Sequence, residues 1–302
     1  MRIRRFSFLG IRGLDGLKQD LPRTKDTDLV LVHGRYARGK TTFLDTLAAA
    51  KELIASYGMP DGRWAALPGS SSGAAKVQID WETSDAERAR IGTGETTLST
   101  ESILGKALLP PDVPKLAQAL LSEAGDAERG SIHYLHDSRE LTAPLSHGAD
   151  ASALSQRLTT RNSKFSILYD VLDQSERGAA RALASSRFSE LFPHLEIGGL
   201  RRSGVSFVPT ARHRASGAER SYGELSASER QAFLIALYVS SSPIVDSILM
   251  VDAPELGFGD EGAVDLVRAM LRWTQRTQLV VATASREVRA LPEVAHVVEL
   301  PS

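Results

Sequence analysis

Residues 34–41 read GRYARGKT, a full match to the pattern G-x-x-x-x-G-K-[ST]. A loop of this kind is built for phosphate. Its glycines let the chain turn so that backbone N–H groups converge on phosphate oxygens. A helix behind it points its positive end at the same anion. The candidate binding residues are Gly34, Arg35, Tyr36, Ala37, Arg38, Gly39, Lys40, Thr41 and Thr42. Lys40 can reach the β- and γ-phosphates of a nucleoside triphosphate, and the Thr41 hydroxyl suits Mg²⁺. A second element of the same chemistry is ILMVDAPE at 248–255, an apolar run ending in an acid. Asp252 would then sit at the carboxyl edge of a sheet and orient the metal's ligands. A third is LSASERQ at 225–231, where Ser226 and Glu229 have capping-box spacing with Ser228 between them.

These residues need a scaffold. LVLVH at 29–33 reads as a buried parallel strand, and 41–54 carries apolar residues on one helical face. Strand, glycine loop and helix open an α/β fold. The alternation at 3–8 and at 76–81 reads as two more strands. ILMV at 248–251, LVVA at 279–282 and a last strand at 297–300 alternate with helix patterns at 227–239 and 264–273, which predicts a mostly parallel sheet flanked by helices. A helical stretch runs from 163 to about 192 with a break near Gly178, and a looser alternation follows at 195–207. Between 59 and 162 the pattern weakens, with a flexible GSSSG at 69–73, a break at LLPPDVP (108–114) and one helical piece at 115–123. The chain divides accordingly into a first core part (1–58), an inserted lid or helical region (59–162) and a second core part (163–302). No heptad pattern is sustained, so no long coiled coil is expected.

Composition narrows the alternatives. The chain has 302 residues, a formal net charge of −1 and no cysteine. Disulfides, thiolate zinc sites, iron–sulfur clusters and cysteine nucleophiles are excluded together. The near-neutral balance gives no chain-wide case for nucleic acid or membrane. Local arginine clusters (Arg2, Arg4 and Arg5; Arg201 and Arg202; Arg212 and Arg214) could touch DNA phosphates, although a solvated surface is the plainer reading. No stretch has the apolar length of a membrane span, and the opening MRIRRFSF lacks a signal-peptide core, so the expected compartment is the cytoplasm. H-E-x-x-H does not occur, and the one literal G-x-S-x-G is the flexible GSSSG at 69–73, which lacks the strand-to-helix turn of a hydrolase nucleophile.

Taken together, these motifs resemble those of ABC/SMC-like P-loop ATPases, in particular the compact OLD/AAA-type (RecF-like) group. Residues 34–41 match Walker A, LSASERQ resembles the LSxGExQ signature with Ser228 in place of its glycine, and ILMVDAPE resembles Walker B. The opening MRIRRFSFLGIRGLDGL is similar to the start of such proteins, with Ile11-Arg12-Gly13 at their F-R-G. The likeness covers about 1–55 and 190–302. It implies bound ATP and Mg²⁺, metal contacts from Thr41 and Asp252, and a head-to-tail dimer in which Ser226, Ser228 and Glu229 of one copy meet the ATP of the other. Gln78 is the candidate for the family's metal-sensing glutamine. The family's catalytic glutamate position holds Ala253, and its switch histidine position, in Thr283-Ala284-Ser285, holds Ala284. Methyl groups neither act as general bases nor bond phosphate. Slow hydrolysis serving a switch, a group supplied by Glu255 or a partner, and an Ala253 substitution that traps ATP all fit. The resemblance implies a role in DNA maintenance or anti-phage defence, with a protein effector or nuclease subunit as partner. The alternative is a non-hydrolysing scaffold that binds ATP structurally and holds an effector such as a nuclease or toxin.

Overall fold

The computed structural model describes residues 1–57, 62–69, 74–105, 114–122, 131–142, 157–173, 178–204, 206–241 and 244–301. Most of the GSSSG loop and of the LLPPDVP break lies outside them.

Twelve strands in three sheets are described. β1 (Arg2–Leu9), β2 (Lys18–Asp20), β4 (Ala74–Glu82) and β5 (Thr97–Gly105) form an antiparallel sheet in the order β2-β1-β4-β5. The central sheet is fully parallel, in the order β12-β3-β11-β10-β6. Its strands are β3 (Asp28–His33), β6 (Ile132–Leu135), β10 (Ile248–Asp252), β11 (Gln278–Thr283) and β12 (Val294–Glu299). The third sheet, β7 (Leu195–Ser203), β8 (Ser206–His213) and β9 (Glu219–Ser221), is antiparallel. The expectation of a mostly parallel sheet is therefore corrected: parallel pairing is confined to one of three sheets. Parallel pairing requires a long crossover between strands, whereas antiparallel pairing is compatible with short and long connections, as in β7–β8 and β1–β4. The stretch 59–162 supplies β4, β5 and β6 to the two larger sheets.

The helices are α1 (Lys40–Ile54), α2 (Asp85–Ile91), α3 (Lys115–Leu121), α4 (Leu168–Asp173), α5 (Gly178–Leu191), α6 (Ala227–Ser241), α7 (Gly259–Trp273) and the single turn α8 (Arg286–Arg289). Both faces of the parallel sheet are covered, which is why its strands read as continuous apolar runs. Leu29, Leu31, Leu249, Val251, Leu279 and Val281 face one core with α4–α7. Val30, Val32, Ile248, Met250, Val280 and Ala282 face the other with α1 and the first antiparallel sheet. Phe43 on α1 meets Phe6 on β1 edge to face, with centroids 5.0 Å apart. That contact fixes α1, and with it the loop at its head, against both sheets.

Candidate functional site

The loop between β3 and α1 leaves the carboxyl edge of the parallel sheet. Ala37 (φ 60°) and Gly39 (φ 85°) both adopt the left-handed region, which turns the chain back into the helix. Lys40 begins α1, and its ammonium donates to the carbonyls of Gly34 (2.9 Å) and Arg35 (3.0 Å), so the lysine spans its own loop. Burial holds its pKa below the usual lysine value, against the opposing pull of Glu255 and Asp252. Arg35, Tyr36, Ala37 and Arg38 form the exposed crest, with Tyr36 89% exposed.

Asp252 ends β10 two strands away. Thr41 Oγ1 donates to its Oδ2 at 2.6 Å, so two residues far apart in sequence meet where the motifs require. The carboxyl is buried and its pKa is pushed up to about 6. Desolvation is the main cause, Asp137 and Asp45 add to it, and the Thr41 hydroxyl and Arg139 act the other way. A buried carboxylate short of positive charge, bonded to a hydroxyl beside a phosphate loop, fits a divalent ion. Among the described residues no group of three or more His, Cys, Asp or Glu could hold a metal alone. The donor set therefore suits Mg²⁺, which takes one or two protein ligands and fills the rest with phosphate and water. Thr41 and Asp252 would hold it.

The turn after Asp252 is strained. Ala253 has φ 45°, unusual for a residue with a Cβ, and its N–H donates to the carbonyl of Ala282 at 2.9 Å. Glu255 has both carboxylate oxygens engaged: Thr283 Oγ1 donates to one (2.8 Å) and the Ala284 N–H to the other (3.0 Å). It braces the turn after β10 against the segment after β11.

At the head of α6, Ser226 and Glu229 form the expected reciprocal cap. The Ser226 N–H donates to Glu229 Oε2 (2.7 Å), and the Glu229 N–H donates to Ser226 Oγ (3.3 Å). Ser228 Oγ lies 3.2 Å from Ser226 Oγ. Ser226 is exposed, and no hydrogen bond among the described residues ties it to the loop at 34–42. Gly257 has φ 86°, and a Cβ there would meet the Ala227 backbone at 3.2 Å. A glycine is what the close approach of this turn to α6 requires. Gln78 lies apart from these groups on the outer face of β4, opposite Ser7 of β1, and its amide donates to Glu101 (2.9 Å).

Two residues at the site were not singled out in the sequence: Asp137 and Arg139. β6 lies beside β10, so the loop after β6 meets the end of β10. The Arg139 Nη1 donates to the carbonyls of His136 and Asp252, both at 2.8 Å, while Nε and Nη2 are buried without a hydrogen-bond partner among the described residues. Burial lowers this guanidinium to about 10. Gln231 of α6 donates to the Arg139 carbonyl at 3.0 Å, which joins the capped helix to the acidic strand. The signal was present as IHYLHDSR, a short apolar run ending in charged residues.

No protein-family profile and no curated protein matches this sequence. Solved structures do. The structure described as the SmcHead bound to the C-winged helix domain of ScpA matches with TM-score 0.60 and 12% identity, over 96% of this chain and 91% of that one. An Smc head domain with an extended coiled coil, bound to the C-terminal domain of ScpA derived from Pyrococcus furiosus, matches with TM-score 0.56 and 13% identity, over 95% and 91%. The SMC head domain from Thermotoga maritima gives 0.50 and 15%, over 95% and 91%. The chain thus has the fold of an SMC head domain.

Proposed function

We propose that the chain binds MgATP at residues 34–42 and works as an ABC/SMC-like ATPase of the compact OLD/AAA type. The observation that carries the reading is the meeting of Thr41 with Asp252 directly behind Lys40. When bound, the metal would offset phosphate charge and polarise the terminal phosphoryl group. The chain's own residues do the rest. Backbone N–H groups of the loop and Lys40 bind the phosphates, while Thr41 and Asp252 orient the metal. Ala253 and Ala284 leave the attacking water without a side-chain base or a switch histidine, so turnover is slow and the ATP-bound state is long-lived.

Exposed Ser226 at the head of α6 supports a head-to-tail dimer in which it closes on a partner's ATP, making nucleotide binding a clamp. Two of the similar head structures were solved with ScpA domains bound, which supports a protein partner for this chain as well. An effector or nuclease subunit, in DNA maintenance or anti-phage defence, is our assignment for that partner. Lys40→Ala tests the reading. ATP affinity, measured by calorimetry with Mg²⁺, should fall at least about 100-fold, in line with the loss of a charged phosphate contact. Unchanged affinity would refute it.

The two alanines favour a second reading, a scaffold that keeps ATP as a structural ligand. The same variant separates the two: a complex that assembles and acts normally with Lys40→Ala is a scaffold.

A further inference from the structure

A cavity of about 890 Å³ opens beside the phosphate loop. Gly34, Arg35 and Tyr36 of the loop line it together with Ala284, Arg286 and Arg289 of the segment after β11. The cations on it are not equivalent. Arg289 is paired with Glu299 (2.5 Å), and His33 lies 3.2 Å from the same carboxylate, so that corner is already neutralised. Arg286 and Arg35 are both exposed, and neither makes an ion pair or side-chain hydrogen bond within the described residues. Both line the cavity, and no acidic residue is part of that lining.

Two free guanidiniums facing one space next to a phosphate loop make sense if an anion occupies it. The neighbouring Ala284 supplies no hydrogen-bonding side chain, and its N–H is taken by Glu255. The Thr283 hydroxyl is taken by the same carboxylate. Ser285 is buried and its hydroxyl caps the following turn by accepting from the Val288 N–H, so the exposed polar side chain of this segment nearest the alanine is Arg286, two residues on.

We propose that Arg286, assisted by Arg35, binds the terminal phosphate of the nucleoside triphosphate and so discriminates ATP from ADP. This rests on the nucleotide-binding reading above. A guanidinium offers two parallel donors to phosphate oxygens, a geometry that an ammonium cannot copy. It holds the γ-phosphate without accepting a proton from water, which agrees with tight binding and slow turnover.

The test compares ATP and ADP, each with Mg²⁺, on the full chain by fluorescent-nucleotide titration. Arg286→Ala should weaken ATP about tenfold or more and leave ADP within about twofold. Arg286→Lys should recover part of the loss, because the charge remains and the fork does not. Arg35→Ala should lower ATP affinity in the same selective way but less. Equal losses for both nucleotides, or no loss in Arg286→Ala, would overturn the assignment while leaving nucleotide binding intact. A wild type that binds neither nucleotide would instead overturn the reading beneath it.

Discussion

Asp252 concentrates the chemistry at the scale of single residues, and its protonation can be read out. Its carboxyl titrates at about 6 in the folded protein against an ordinary 3.8. Between those values the folded state holds the proton that the unfolded state has lost. This group's contribution to stability therefore falls as pH rises from about 4 to about 6 and stays low above that, by up to roughly 3 kcal/mol. Asp252→Asn does not titrate. Without Mg²⁺ it should be the more stable protein at pH 7.5 and should flatten this part of the stability–pH curve, as measured by urea unfolding. Identical curves would contradict the burial argument. Mg²⁺ needs the ionised form, so MgATP affinity should weaken below about pH 6. The residue after it makes a second prediction. Ala253→Glu places a carboxylate beside Asp252 at a backbone position that already carries left-handed strain. Phosphate release should rise by about 100-fold or more, the usual scale of a positioned base, and an already fast wild type would refute the slow-turnover reading.

Among the elements, α6 and the turn after β10 are coupled through a contact with no spare room. Gly257 lies 3.2 Å, counted from a built Cβ, from the Ala227 backbone and has φ 86°. Gly257→Ala adds both a left-handed penalty and a clash, at a cost of about 1–2 kcal/mol or more. Chemical unfolding should detect it, and the proposed ATP-dependent dimer should weaken further because the head of α6 is displaced. The elements also show what a sequence can reveal. The strand–loop–helix at 29–54, the acidic strand at β10 and helix α6 were legible because their apolar runs are continuous or strongly periodic. β5 was not. Its inward face includes Thr100 and Ser102, which satisfy themselves internally: Trp81 Nε1 donates to Thr100 Oγ1 (2.8 Å), and Ser102 Oγ donates to the Ala50 carbonyl (3.1 Å). Buried hydroxyls blurred the alternation. β6 escaped because it is four residues long, and with it went Asp137 and Arg139, whose place beside Asp252 is a matter of strand order. Strand order is not written locally. Ser84 and Glu87 do carry a capping box for α2, a signal that the sequence held in plain form.

At the scale of the whole molecule the dimer is the open consequence. Static light scattering should show the mass doubling when ATP and Mg²⁺ are added, and a monomer at every ATP concentration would remove the clamp from the proposal. The order of the central sheet has a further consequence, for the birth of the protein. β3, which leads into the phosphate loop, lies between β11 and β12, and both come from the last part of the chain. A ribosome making this protein releases residues 28–54 long before their neighbours exist. The loop and its helix must wait with an apolar strand uncovered until β11, which begins at Gln278, has been made. Pairings so distant in sequence close slowly. Until β11 and β12 have been made, this apolar strand has no partner in the central sheet, and nucleotide can help to hold the fold only after both have docked.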